Sequence, residues 1–124
     1  MNVAKILTVG LRPSAIDYSL FPGLDEATLT ARVEQGLGAV RAAGFDALHC
    51  PVGVDPDEAE KTVRATVAGH SVELAMIGAG VRMPAEHTEL FERLINVLVE
   101  LAPGIRFCFN TSPESTIDAL RRWS

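Results

Sequence analysis

The chain has 124 residues, of which 48% are hydrophobic and 22% charged, with a formal net charge of −5. That length suits one domain with a real core, and the composition is ordinary for a globular protein. The acidic balance, with no basic cluster beyond the pair Arg121-Arg122, argues against a nucleic-acid binder, which needs clustered Lys and Arg for phosphate contacts.

No stretch approaches the roughly 20 apolar residues of a membrane span. The first apolar run is broken by Lys5 and Thr8, and no small-residue cleavage site follows it, so no secretory leader is expected. Cys50 and Cys108 both lie inside apolar runs, and no close Cys/His spacing suggests a metal site. Two reduced, buried thiols in a cytoplasmic protein are the expectation.

Four strand-like runs alternate with four helix-like runs. "AKILTVG", residues 4–10, reads as the first strand. A helix is expected over residues 25–43, with Asp25 as its cap, Leu29, Val33, Leu37 and Val40 as its inward stripe, Gly36 beside them and Gly44 as its stop. "DALHCPV", residues 46–52, reads as the second strand. Asp55 caps the next helix, Pro56 opens it, Ala59, Val63 and Val67 form its buried stripe, and Gly69 ends it.

"VELAMIG", residues 72–78, is the third strand. A helix is expected from Pro84 to about Ala102, with Phe91, Leu94, Ile95, Leu98 and Leu101 inward and Pro103-Gly104 as the break. "IRFCFN", residues 105–110, is the fourth strand. The last helix is expected from "SPEST", capped by Ser112 and opened by Pro113.

This alternation predicts a single α/β domain over residues 1–124. Its architecture is a three-layer αβα sandwich around a four-stranded parallel sheet, in the flavodoxin-like order 2-1-3-4. The helices after strands 1 and 4 then share one face, and those after strands 2 and 3 share the other.

In such sheets ligands bind beyond the carboxyl ends of the strands, where the winding reverses. Here that point lies between strands 1 and 3. The loop after strand 1 runs from Leu11 to Leu24, against a usual two to six residues or so. Each of the two loops carries an arginine, Arg12 and Arg82, and the two guanidinium groups are expected to meet across the crevice. With the helix N-termini at Pro84 and Pro113, they predict a phosphate or carboxylate site.

His87, in the first turn of the third helix, is the candidate general acid or base, or an anion ligand when protonated. Its other reading is a packed histidine bonded to a local carbonyl. Asp17 and Tyr18 lie in the long loop, where Tyr18 is either a lid or an anchor that pins the loop. Gly80 lets the backbone turn sharply. After strand 4, Asn110 and Thr111 offer hydrogen bonds to a ligand, and Ser112 serves as a cap. His49 and His70 receive no role.

No intact dinucleotide fingerprint, Walker A motif or nucleophile elbow is present, so no cofactor is named, and no catalytic constellation accompanies His87. The expected function is a small-molecule-binding domain for an anionic ligand. The alternative is a regulatory or protein-interaction module that keeps the fold. The exposed apolar edge at strand 4, with Trp123 nearby, predicts a homodimer.

The alternation resembles a response-regulator receiver domain. That family places acidic residues after strand 1 and a phosphoacceptor aspartate after strand 3; here those places read Gly10-Leu11-Arg12 and Gly78-Ala79-Gly80. The resemblance therefore implies the fold and not phosphoacceptor chemistry. Flavodoxins hold their flavin phosphate on a Ser/Thr-rich loop after strand 1, which "GLRPSAIDY" does not match. The chain as a whole resembles small uncharacterised bacterial α/β proteins with segments like "VGLRPSAIDYSLFPGL", "IGAGVR" and "FNTSP", a likeness that implies no mechanism.

Overall fold

The computed structural model describes residues 5–124. Four parallel strands, β1 (Lys5–Leu11), β2 (Ala47–Val52), β3 (Val72–Ile77) and β4 (Arg106–Phe109), form one sheet in the order β2-β1-β3-β4. This is the doubly wound, flavodoxin-like arrangement that the alternation predicts. Ala4, taken as the start of the first strand, lies outside the described residues, as do the three residues before it.

Helices α1 (Glu26–Ala42) and α5 (Thr116–Trp123) cover one face, and α2 (Pro56–Val67) and α4 (Thr88–Leu101) the other. The caps are those the sequence signals. The Asp25 carboxylate accepts the Thr28 N–H at 2.7 Å, and Asp55 accepts that of Asp57 at 3.3 Å. Gly44 ends the first of these helices at φ 92°, in the left-handed region that other residues avoid.

The period of two along each strand divides the core. Leu7 and Val9 of β1 join Cys50, Val52, Ala75 and Ile77 under α2 and α4. Ile6 joins Leu74, Met76 and Cys108 under α1 and α5, with Val40, Ala119 and Leu120. Cys50 and Cys108 are buried free thiols on opposite faces, and burial pushes both thiols up, Cys108 to about 11. Among the described residues no helix is long and apolar enough to cross a membrane.

The segment after β3 departs from expectation. Instead of one helix from Pro84, the chain makes a short helix α3 (Ala79–Arg82), an extended residue at Pro84, a 3-10 turn at Ala85–His87, and then α4 from Thr88. Pro84 has no N–H with which to extend the ladder of α3, and the chain breaks there. The buried stripe of α4 is consequently Leu90, Leu94, Val97 and Leu98, with Phe91 and Ile95 half-buried against it. Leu101, expected inward, lies in the last turn at 37% exposure. The last helix likewise begins with a 3-10 turn at Pro113–Ser115 before α5.

Helix α1 has a second departure. Only Leu29 and Val40 of its 17 residues are buried. It packs on α5 and on the turns at Pro113–Ser115 and Pro13–Ala15, and Val40 near its C-terminal end joins the cluster on the sheet. Its remaining inward residues, Val33 and Leu37, face a cavity.

Candidate functional site

The space between α1 and the sheet is a cavity of about 300 Å³ at the carboxyl end of the strands. Its floor is the α1-facing side of three strands: Thr8 and Gly10 of β1, His49 of β2 and Met76 of β3. Leu29, Arg32, Val33 and Leu37 of α1 form the roof, and Ile16, Phe21 and Leu24 of the long first loop close one side. The turn after β3 and residues 110–113 after β4 close the other. This is the edge where the winding reverses, and the volume is at the small end of ligand pockets.

The walls are mainly apolar. Arg32 is the only charged residue among those lining the cavity, and it is already matched. Its Nε and Nη2 donate to the two carboxylate oxygens of Glu114 at 2.5 and 2.8 Å. The Arg32 guanidinium, with its hydrogen bonds foremost, holds the Glu114 carboxyl down at about 2. This fork ties α1 to the segment after β4. Close by, a Cβ at position 36 would lie 2.6 Å from the Pro113 carbonyl oxygen, so Gly36 is what lets that segment approach the helix.

Gly80, Asn110 and Thr111 line the cavity as the sequence suggests. Asn110 is 7% exposed and bonded through both ends of its amide. Its Oδ1 accepts the Ala79 N–H and its Nδ2 donates to Thr116 Oγ1, both at 2.9 Å. It thus ties the turn after β3 to the start of α5. Thr111 donates its N–H to Ser115 Oγ at 3.0 Å, and Ser112 does the same at 3.2 Å. At the helix start expected to bind an anion, the Ser115 N–H goes to the Ser112 carbonyl and the Thr116 N–H to the Pro113 carbonyl.

Arg12, Asp17, Tyr18, Arg82 and His87 do not line this cavity. Arg12 is exposed on the β2 side, with Nη2 against Gly53, where a Cβ would sit 2.6 Å away. Arg82 lies on the β4 side. Its Nη2 donates to the Asn110 carbonyl at 2.6 Å, its guanidinium stands 5.3 Å from the centre of the Phe109 ring, and its Nε is buried without a partner. The two arginines are thus drawn to opposite margins of the sheet.

His87 Nδ1 lies 2.8 Å from the Gly80 carbonyl oxygen, the local-carbonyl arrangement that the sequence left open beside the catalytic one. Tyr18 donates its hydroxyl to the Pro13 carbonyl at 2.7 Å and pins the long loop; burial raises its phenol. Asp17 accepts from the Ser19 N–H and hydroxyl, and these bonds hold its carboxyl below the usual range.

The sequence reading missed the pair on the cavity floor. Thr8 is 1% exposed, and its Oγ1 lies 2.8 Å from His49 Nδ1. Burial, then the charge of Arg41, pushes the His49 imidazole down from its ordinary value. A signal was available. Thr8 and His49 are register partners on adjacent parallel strands, so order 2-1-3-4 makes them neighbours on one face. Val33 and Leu37, read as core, were the other part of the signal.

No protein-family model, curated protein or solved structure matches the chain. The case for function therefore rests on the cavity itself. Among the described residues no group of three or more His, Cys, Asp or Glu is placed to hold a metal ion.

Proposed function

We propose that the chain is a small-molecule-binding domain whose site is the cavity between α1 and the carboxyl ends of β1 and β3. One observation carries this reading: the 17-residue helix α1 leaves Val33 and Leu37 half-buried over a cavity, at the edge where doubly wound folds bind ligands. A helix with no other task would close on the sheet, because burying each such side chain is worth about 1.5–3 kcal/mol. The anionic ligand that two arginines suggested finds less support. Arg12 and Arg82 are outside the cavity, and Arg32 is neutralised by Glu114.

A Cβ added at Gly10 would meet no atom nearer than 4.0 Å, the His49 Cε1. Gly10→Val therefore places two methyl groups in the cavity with little strain, on a strand that favours them. A thermal-shift screen of small metabolites tests the reading. A ligand at 100 times its dissociation constant stabilises the fold by about 2.7 kcal/mol, and Gly10→Val should abolish that shift. A screen that yields no ligand favours the second reading, an interaction module. The exposed Leu20, Phe21, Val54 and Met83 on loops at the same edge support that reading.

We also propose a homodimer through β4 and α5. β4 is an edge strand, and Trp123 beside it is 51% exposed. We assign the chain to the cytoplasm, on the support of two free thiols buried in separate clusters.

A further inference from the structure

The cavity floor holds one polar group with spare hydrogen-bonding capacity. Thr8 Oγ1 and His49 Nδ1 engage each other at 2.8 Å, and Thr8 Oγ1 also reaches the Leu48 carbonyl at 3.4 Å. His49 Nε2 has no partner among the described residues, yet it is not a sealed, unsatisfied atom. His49 lines the cavity, so Nε2 is open to a ligand. We propose that the cavity takes an uncharged, largely apolar molecule carrying one hydroxyl, an apolar alcohol or phenol, and that His49, oriented by Thr8, reads that hydroxyl. The inference rests on the cavity being a ligand site.

Three arguments support this class. First, the proton between Thr8 and His49 can sit on either partner, which makes Nε2 a donor in one tautomer and an acceptor in the other. A hydroxyl both donates and accepts, so it suits either. Second, the cavity has no uncompensated charge: Arg32 is paired with Glu114, and burial with the nearby Arg41 keeps the imidazole neutral near pH 7. A carboxylate or phosphate would have to displace Glu114 or remain unpaired in apolar surroundings. Third, Thr8 and His49 stand at the distance of a nucleophile and its base, but among the described residues no third group orients Nε2. The pair is arranged for recognition.

The test uses 2-naphthol, naphthalene and 2-naphthoate, titrated against the whole chain and followed by backbone amide and imidazole nitrogen resonances. The expected order is 2-naphthol first and naphthalene about tenfold weaker, equivalent to about 1.4 kcal/mol, with 2-naphthoate weaker still. Shifts should centre on Gly10, His49 and Thr111. His49→Phe should remove the preference for 2-naphthol over naphthalene while both still bind. Thr8→Val, which frees the imidazole to rotate, should reduce the preference and serves if His49→Phe fails to fold. No binding by any probe overturns the cavity reading together with this inference. Equal binding of 2-naphthol and naphthalene, unchanged by either variant, overturns the inference and leaves the cavity reading standing. Tightest binding by 2-naphthoate overturns the uncharged class.

Discussion

Asn110 links three segments through its side chain and its carbonyl. The side chain holds the Ala79 N–H and the Thr116 hydroxyl, and the carbonyl accepts from Arg82. Replacing it with Ala leaves the half-buried Ala79 N–H and the buried Thr116 hydroxyl without this partner. Each orphaned group costs about 1–3 kcal/mol. Asn110→Ala should therefore lose about 2–4 kcal/mol in urea denaturation, while Thr111→Ala, at an exposed position, should lose little. The same accounting makes Arg82 a structural residue, since it covers the Phe109 ring and a backbone carbonyl. His49 gives a pH signature. Its folded value lies below the ordinary 6.5, so the unfolded chain binds more protons in the window just below that value. Its contribution is fully present above pH 6.5 and is lost as the pH falls toward the folded value. Stability should decline from pH 7 to pH 5 in the native chain, and the decline should shrink in His49→Phe. Glu114, at about 2, acts in a separate window: its contribution is present above its ordinary 4.5 and is lost as the pH falls through about 2. It is a weak one, because the Arg32–Glu114 pair is exposed.

The elements differ in how far local sequence decides them. α2 was legible almost to the residue, because Asp55, Pro56 and Gly69 mark its ends and Ala59, Val63 and Val67 its buried side. The sheet order followed from alternation and handedness. The segment from Gly78 to Thr88 was not legible, because its first helical turn depends on Asn110, 31 residues away, to accept the Ala79 N–H. The site was legible in place but not in content. The winding located it, whereas its walls came from α1, whose apolar spacing reads the same whether it meets a sheet or a cavity. Two glycines of α1 separate these cases. A Cβ at Gly38 meets nothing within 4 Å, while one at Gly36 meets the Pro113 carbonyl at 2.6 Å. Gly38→Ala should gain about 0.5–1 kcal/mol from helix propensity alone. Gly36→Ala offers the same propensity gain but pushes α1 off the turn after β4, and it should be destabilising on balance. Chemical denaturation of the two variants decides the point. If both are stabilising, the close contact between α1 and that turn is not maintained in solution.

At the scale of the whole molecule the open question is the free edge of β4. Ile105, Phe107 and Phe109 pack toward α4, and Cys108 toward α5, so the faces of this strand are used. Its outer backbone edge has no strand beside it. Guanidinium groups take the carbonyls at the end of the strand. Arg122 Nη2 donates to the Phe109 carbonyl at 2.8 Å, and Arg82 takes the Asn110 carbonyl just beyond. These two arginines cover the carboxyl end of the strand. Toward its start only the exposed Arg106 side chain stands against pairing with another chain. Trp123 projects from the end of α5 at 51% exposure, a large apolar surface that a second copy can bury across a two-fold axis. Light scattering at micromolar concentration should give twice the 13.3 kDa of one chain; a mass near 13.3 kDa rejects the dimer. Trp123→Ala should then weaken association, since buried tryptophans are common anchors of such interfaces. The monomer should remain folded, because the side chain lies outside both buried clusters. Phe107→Lys is uninformative, as it places a charge against the packed face under α4. If Trp123→Ala leaves the dimer intact while Arg106→Glu weakens it, the interface runs along the strand edge and α5 takes no part.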